Sequence, residues 1–203
     1  TNLPIILSSG MSTLDEVSEA LDTVGFFSGY PTILLITTSQ YPTPPEDVNL
    51  MKFHTLSKKF PDLILGFSDH TIGSIASSLA CVLGAAFFEK HFTLDCNLPG
   101  PDHWFSANPE QLKIWRDSIM FSFKMLGDPA VKPTKQEKEM KVLARRSVFV
   151  LKDIEKGQVF NYENLGIRRP GNGLNPIEIE KIIGKKATKK ITKGQILRKE
   201  DYE

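Results

Sequence analysis

The sequence predicts an α/β protein: four strand–helix units of a parallel sheet, then a small β-rich module of about 60 residues. Three observations carry this. Apolar runs with the look of buried strands recur at Leu3–Leu7, Ile33–Ile36, Leu63–Phe67 and Ala85–Leu94, and each ends in a polar turn. Each turn is followed by residues that start or sustain a helix. The charge balance then reverses: residues 1–142 hold 11 Lys+Arg against 16 Asp+Glu, and residues 143–203 hold 14 against 8. A reversal of that kind marks two domains.

The first run, LPIIL, ends in Ser8-Ser9-Gly10, and Thr13 with Glu16 has the spacing of a capping box. Leu14, Val17, Leu21 and Val24 continue an apolar face. The second run leads through Thr37-Thr38-Ser39-Gln40-Tyr41-Pro42 to Pro44-Pro45-Glu46-Asp47, whose fixed φ and acidic residues suit a helix start. Val48, Phe53 and Leu56 are its expected buried side. The third run leads into Ser68-Asp69-His70-Thr71, with an expected inward stripe of Ile72, Ile75, Leu79 and Val82. The fourth is followed by the loop Asp95–Ala107. Asn108-Pro109 then opens a helix with Leu112, Trp115, Ile119 and Leu126 facing inward, and Gly127 ends it. Runs apolar throughout belong to a parallel sheet covered on both faces.

The predicted boundaries are 1–128 for the α/β layer, 129–142 for a linker or solvated helix, and 143–203 for the small module. In the last, short β-like runs at Ser147–Leu151 and Gly157–Phe160 precede the compact turn Arg168-Arg169-Pro170-Gly171-Asn172-Gly173. So small a module has a marginal core of its own.

Composition excludes several classes. Hydrophobic content of 40% and charged content of 24% are those of an ordinary globular protein. No apolar run approaches the roughly 18 residues of a membrane span, and no basic-then-apolar start suggests a signal peptide. Cys81 and Cys96 lack the spacing of a zinc site or a disulfide framework, so a reducing, cytoplasmic compartment is expected. The basic module lacks interleaved aromatics or a nucleic-acid motif, so docking onto an acidic domain or facing an anionic substrate is the preferred reading.

The polar residues gather at the C-terminal ends of the strands, where α/β proteins place their sites. Strand alternation puts Ser68 and His70 on one face, Glu89, His91 and Thr93 on one face of the next strand, and Thr37, Ser39 and Tyr41 together in the second unit. His70 and His91, at matching ends of successive runs, suggest a shared metal, since neutral imidazole ligates Mn, Fe or Zn and two histidines leave room for water and substrate oxygens. The competing reading is a pair of hydrogen-bonded structural histidines. Asp69 reads best as a cap for a helix beginning near Thr71, Glu89 as an interior ion-pair member, and His54 as packing or surface. Asp102, on a loop past His91, either orients sugar hydroxyls or forms an Asx turn. Arg168 and Arg169 either grip a carboxylate or phosphate or are simply solvated.

In order, PIILSSGMST, TSQYPTPPEDVNL, GFSDHTIG, EKHFTLD and GPDHWFS, then RRSVFVLKDIEKGQVF, IRRPGNGL and GKKATKKITKGQIL, resemble the sialic acid (N-acetylneuraminate) synthase family along nearly the whole chain. The resemblance implies the second half of a (β/α)8 TIM-type barrel followed by a small β-rich, antifreeze-like (SAF) domain. It implies condensation of phosphoenolpyruvate with N-acetylmannosamine or a related N-acetylated hexose, giving a nine-carbon 2-keto sugar acid and phosphate. His70 and His91 match the family's pair of metal ligands, commonly for Mn2+, with Mg2+ or Co2+ as alternatives. Ser39 and Ser68 match positions near phosphoenolpyruvate, Tyr41 and Asp102 match sugar contacts, and Arg169 matches an arginine sent into the partner's site of a domain-swapped homodimer.

Two departures bear on these expectations. Ile36-Thr37 stands where the family often has His-Cys. The family's first four barrel units, which contribute lysines for phosphoenolpyruvate and the glutamates proposed for proton transfer, have no counterpart here. The chain is therefore expected to be a fragment, a truncation or one half of a split enzyme, inactive without a separate N-terminal half. The alternatives are a non-catalytic sugar- or anion-binding protein that keeps the pocket, and a structural or ice-binding role for the small module. The sugar stays open between N-acetylmannosamine and the precursors of legionaminate or pseudaminate.

Overall fold

The computed structural model describes residues 3–203, in two compact units that divide between Pro129 and Ala130. The first is a four-stranded parallel sheet, β1 (Ile5–Ser8), β2 (Thr32–Ile36), β3 (Ile64–Asp69) and β4 (Phe87–Lys90), in sequential order. Helices α1 (Leu14–Thr23), α2 (Lys52–Lys59), α3 (Ile75–Val82) and α4 (Pro109–Leu126) follow the strands in turn. This is the parallel α/β layer expected from four apolar runs. Its core joins Val17 and Leu21 of α1, Leu34 and Ile36 of β2, Phe53 and Leu56 of α2, Leu65 and Phe67 of β3, and Ala76 and Ala80 of α3.

Local chemistry explains where the helices begin. The Thr13 N–H donates to Glu16 Oε2 at 2.7 Å while the Glu16 N–H donates to Thr13 Oγ1 at 3.3 Å, the reciprocal pair of a capping box. Asn108 and Gln111 form the same device ahead of Pro109 at the start of α4. The Pro45–Asp47 segment makes only a 3-10 turn, because Asn49 then takes a left-handed φ of 51° and α2 starts at Lys52. Gly66 sits mid-sheet where a Cβ would meet Phe87 O at 2.7 Å, so glycine is what lets β3 and β4 pair there.

Helix α3 buries a different face from the one expected. Ile72, Ile75, Leu79 and Val82 are 67, 76, 51 and 54% exposed, while Ala76, Ser77, Ala80 and Cys81 are buried. A seam of small side chains lets α3 lie close to β3 and α4, which the bulkier stripe would hold off. Leu126 is exposed as well, and Trp115 and Ile119 carry the inward face of α4. Strand β4 is also shorter than its apolar run. It ends at Lys90, and the chain beyond it is pinned by a bridge between Phe92 and Ala107 that closes the neck of the intervening loop.

The second unit opens with α5 (Lys135–Ala144), capped by Thr134 and Glu137 and exposed along its length. β5 (Ser147–Val150) pairs antiparallel with β6 (Leu165–Arg168), and the short helix α6 (Ile179–Ile182) follows. Residues 157–160 join by a single bridge, Val159 to Lys186, rather than as a strand. A second core holds Val148, Val150, Ile154, Phe160, Leu165, Ile182, Ile191 and Leu197. The Arg168–Gly173 turn packs back on this unit: the Gly171 N–H donates to Val142 O and the Gly173 N–H to Ser147 Oγ, each at 2.8 Å. A Cβ on Gly171 would collide with Arg145, so the turn needs its glycine. Among the described residues no helix is long and apolar enough to cross a membrane.

Candidate functional site

Each of the two histidines is the first residue past the end of its strand. Strand pairing sets Ser68 opposite Glu89 and Asp69 opposite Lys90, so His70 and His91 come next on adjacent strands. Their ring centroids lie 5.2 Å apart with the rings near perpendicular. Tyr41 lies tilted over His70 at 4.2 Å and meets His91 edge-on at 5.4 Å, and Phe105 lies 5.0 Å from His91. Tyr41 and Phe105 are themselves 5.3 Å apart, so the two rings form an aromatic frame beside the pair.

Hydrogen bonding fixes which nitrogen His70 presents. Its Nδ1 lies 2.8 Å from the Thr38 carbonyl oxygen, which can only accept, so the proton is on Nδ1. Thr37 Oγ1, 3.3 Å from the same nitrogen, donates its own proton to Ser68 O. Ser68 Oγ is 3.3 Å from Nε2, yet its single proton goes to Glu89 Oε1 at 2.6 Å. The Nε2 lone pair is therefore left to an incoming electrophile. Burial holds the His70 imidazole below the ordinary histidine value, and the facing His91 adds to this. The Thr38 hydrogen bond and the carboxylates of Asp69 and Glu89 pull the other way. The outcome is an imidazole kept neutral, the form in which it ligates.

Asp102 stands at the mouth, Oδ2 3.9 Å from His91 Nδ1, too far for a hydrogen bond, with its side chain 62% exposed. Its carbonyl accepts from Ser106 Oγ at 2.6 Å, which holds the loop in shape. Ser39 is exposed and lines an adjoining polar hollow with Ser9, Ser12, Thr37, Thr38, Gln40 and Lys52. The structure thus gathers Tyr41, Ser68, His70, His91 and Asp102 at one end of the sheet, with Ser39 in the hollow beside Thr37. Arg169 belongs to the second unit and is exposed there.

Behind the histidines lies a network that sequence reasoning read differently. Asp69 does not cap a helix. Its Oδ1 accepts from the Thr71 N–H at 2.8 Å and Thr71 Oγ1 at 2.7 Å, while α3 begins later, at Ile75. Its Oδ2 accepts from Ser77 Oγ at 2.6 Å and Trp115 Nε1 at 2.9 Å, and Lys90 Nζ is 3.2 Å away. Glu89 is held by the Ser68 hydroxyl, and the ion pair of this strand end is one residue along, on the opposite face. Burial draws the Lys90 ammonium below the ordinary lysine range, against the pull of Asp69. Only the alternation of SDH and EKH hinted at this pairing, since Trp115 arrives from 46 residues away.

Among the described residues no cluster of three or more His, Cys, Asp or Glu side chains is arranged around a metal position. The donor set fits a divalent ion that keeps water or substrate oxygens in its other positions: one Nε2 lone pair is uncommitted, and the second imidazole faces it.

Residues 1–130 match the NeuB family and residues 145–203 match the SAF domain. The chain belongs to the NeuB family. It is 41% identical over 199 residues to an N,N'-diacetyllegionaminic acid synthase of Legionella pneumophila, covering 96% of this chain and 56% of that protein. It is 38% identical over 205 residues to a pseudaminic acid synthase of Helicobacter pylori, covering 100% of this chain and 59% of that protein. Among solved structures, the Bacillus subtilis spore coat polysaccharide biosynthesis protein SpsE aligns with a TM-score of 0.60 at 33% identity, over 98% of this chain and 61% of that one. The NeuB-family chain therefore spans somewhat over half the length of these relatives. Its first unit is a half-barrel of the TIM type, and its second is a SAF domain.

Proposed function

We propose that this chain carries the metal- and sugar-holding half of a nonulosonate synthase site. The reaction is the condensation of phosphoenolpyruvate with N-acetylmannosamine or a related N-acetylated hexose. The relatives named as legionaminic and pseudaminic acid synthases support it. The observation that carries it is His70 offering an uncommitted Nε2 beside His91, inside a frame of Tyr41 and Phe105.

On this reading His70 and His91 hold a divalent metal, Mn2+ first and Mg2+ or Co2+ as alternatives. The metal supplies Lewis-acid polarisation of the open-chain aldehyde oxygen. The phosphoenolpyruvate methylene carbon bonds to the aldehyde carbon, whose oxygen takes a proton. Water adds at the carbon bearing the phosphate, and the C–O bond then breaks to release phosphate and leave the 2-keto acid.

Within this chain, Thr38 fixes the His70 tautomer, and Tyr41 walls the pocket against water. Tyr41 and Asp102 meet the sugar, Ser39 and Ser68 lie toward phosphoenolpyruvate, and Glu89, paired to the Ser68 proton, is placed to exchange one. The remaining lysines and acid–base glutamates come from barrel units other than these four. Arg169 enters the site of the partner in a domain-swapped homodimer. The compartment is the cytoplasm, where phosphoenolpyruvate is made.

The test is phosphate release from phosphoenolpyruvate with Mn2+ and each N-acetylated hexose, using the chain combined with the first four units of a relative. Release that disappears in His70→Ala and His91→Ala supports the reading. A folded complex that binds sugar and never releases phosphate sinks it in favour of a binding protein.

A further inference from the structure

We infer that Asp69 and Lys90 are positioning residues that set the separation of His70 and His91 from behind the sheet, and so determine how tightly a divalent cation is held. The inference rests on the reading of the two histidines as metal ligands.

Alternation makes the argument. Along Ser68-Asp69-His70 the outer two side chains face the pocket and the middle one faces the helices. Along Glu89-Lys90-His91 the same holds, and the two segments are paired in register. The pocket face is tied by one hydrogen bond, Ser68 to Glu89. The helix face is tied by an ion pair whose side chains are 0% exposed at Asp69 and 5% at Lys90. All the ties at Asp69 come from elements that differ in origin: its own turn through Thr71, α3 through Ser77, α4 through Trp115 and β4 through Lys90. Ser77 and Trp115 are also bonded to each other, at 2.8 Å. Lys90 in turn donates to the Thr71 carbonyl, clamping the chain just past His70.

Both histidines lie just past the β3–β4 ladder, and beyond it the backbone is held only at their carbonyls, which accept from Thr43 N–H and Ala107 N–H at 2.9 Å each. What lies immediately before each is one half of this buried pair. A carboxylate braced by four side-chain and backbone donors and an ammonium cannot shift without leaving a charge unpaired in the interior, which makes the arrangement stiff. Outer support of this kind orients the ligands of a metal site and sets how tightly the ion is held.

The experiment is a Mn2+ titration followed by electron paramagnetic resonance, where the free-ion signal is lost on binding, with thermal unfolding of the metal-free proteins in parallel. The variants are Asp69→Asn, Trp115→Phe and a distant core control, Phe53→Leu. Asp69→Asn is expected to weaken Mn2+ binding about 10- to 100-fold. Trp115→Phe, which keeps both charges and removes one donor to Asp69, is expected to weaken it roughly fivefold. Phe53→Leu lowers the melting temperature and leaves Mn2+ affinity unchanged. If Asp69→Asn does not fold, Trp115→Phe decides the matter against the control. A parent that binds Mn2+ with variants that bind equally well overturns this inference alone. A parent that binds no Mn2+ overturns the metal reading of the histidines, and this inference with it.

Discussion

Ser68 Oγ donates to Glu89 Oε1 at 2.6 Å, the one side-chain tie across the pocket face of the β3–β4 step. A serine hydroxyl has one proton, so this bond leaves His70 Nε2 unprotonated by Ser68 and free to act as a ligand. Ser68→Ala removes the tie while Glu89 stays in contact with solvent, so a cost of about 1 kcal/mol in urea unfolding is expected. In the reconstituted synthase, Glu89→Gln is expected to lower the turnover number by about 10²-fold or more while leaving the melting temperature near the parent's. Equal turnover in Glu89→Gln would remove Glu89 from proton transfer.

The depressed His70 value has a consequence for acid stability. An imidazole whose folded value lies below the unfolded value of 6.5 binds fewer protons when folded. Stability from this group is therefore fully present above about pH 6.5 and declines as the pH falls through the folded value. The urea midpoint of the parent should fall between pH 7.5 and pH 5 by more than that of His70→Gln. An NMR titration should place the His70 imidazole below the ordinary histidine range.

The buried pair of Asp69 and Lys90 makes single and double substitutions behave differently. Lys90→Met leaves the Asp69 carboxylate uncompensated in the interior, and a loss of about 3–5 kcal/mol is expected. Asp69→Asn combined with Lys90→Met removes both charges and is expected to be less destabilising than Lys90→Met alone. Denaturant unfolding of the two proteins checks the order.

On α3 the buried seam can be tested directly. Ala80 is fully buried, so Ala80→Leu is expected to cost about 1–3 kcal/mol through overpacking. Leu79, half exposed on the other face, should accept lysine within about 0.5 kcal/mol. Thermal melts of the two variants would reverse if the larger side chains formed the true inner face.

What could be read from the chain alone follows the range of the forces involved. The caps at Thr13 and Asn108, the order of the four strands and the grouping of Tyr41, Ser68 and His91 with His70 depend on residues a few positions apart or on simple alternation. Hydropathy points to the wrong face of α3 because it counts apolar bulk, whereas close helix–sheet packing selects small side chains. The role of Asp69 was hidden for a different reason. Its turn with Thr71 is local, but its bonds to Ser77 and Trp115 exist only once α3 and α4 are in place. The early end of β4 was likewise concealed, since Phe92 is apolar yet pairs with Ala107 across a loop instead of extending the ladder.

The interleaving of SDH with EKH gives this strand end an unusual tolerance profile. Exchanging one side chain at a time removes a contact but keeps every other residue of the two triplets on its own face of the sheet. Inserting or deleting one residue at the start of either triplet does something else: on that strand it turns the charged residue into the cavity and the imidazole into the helix layer, trading the two roles at a stroke. Length, more than identity, is what this short segment can least afford to change.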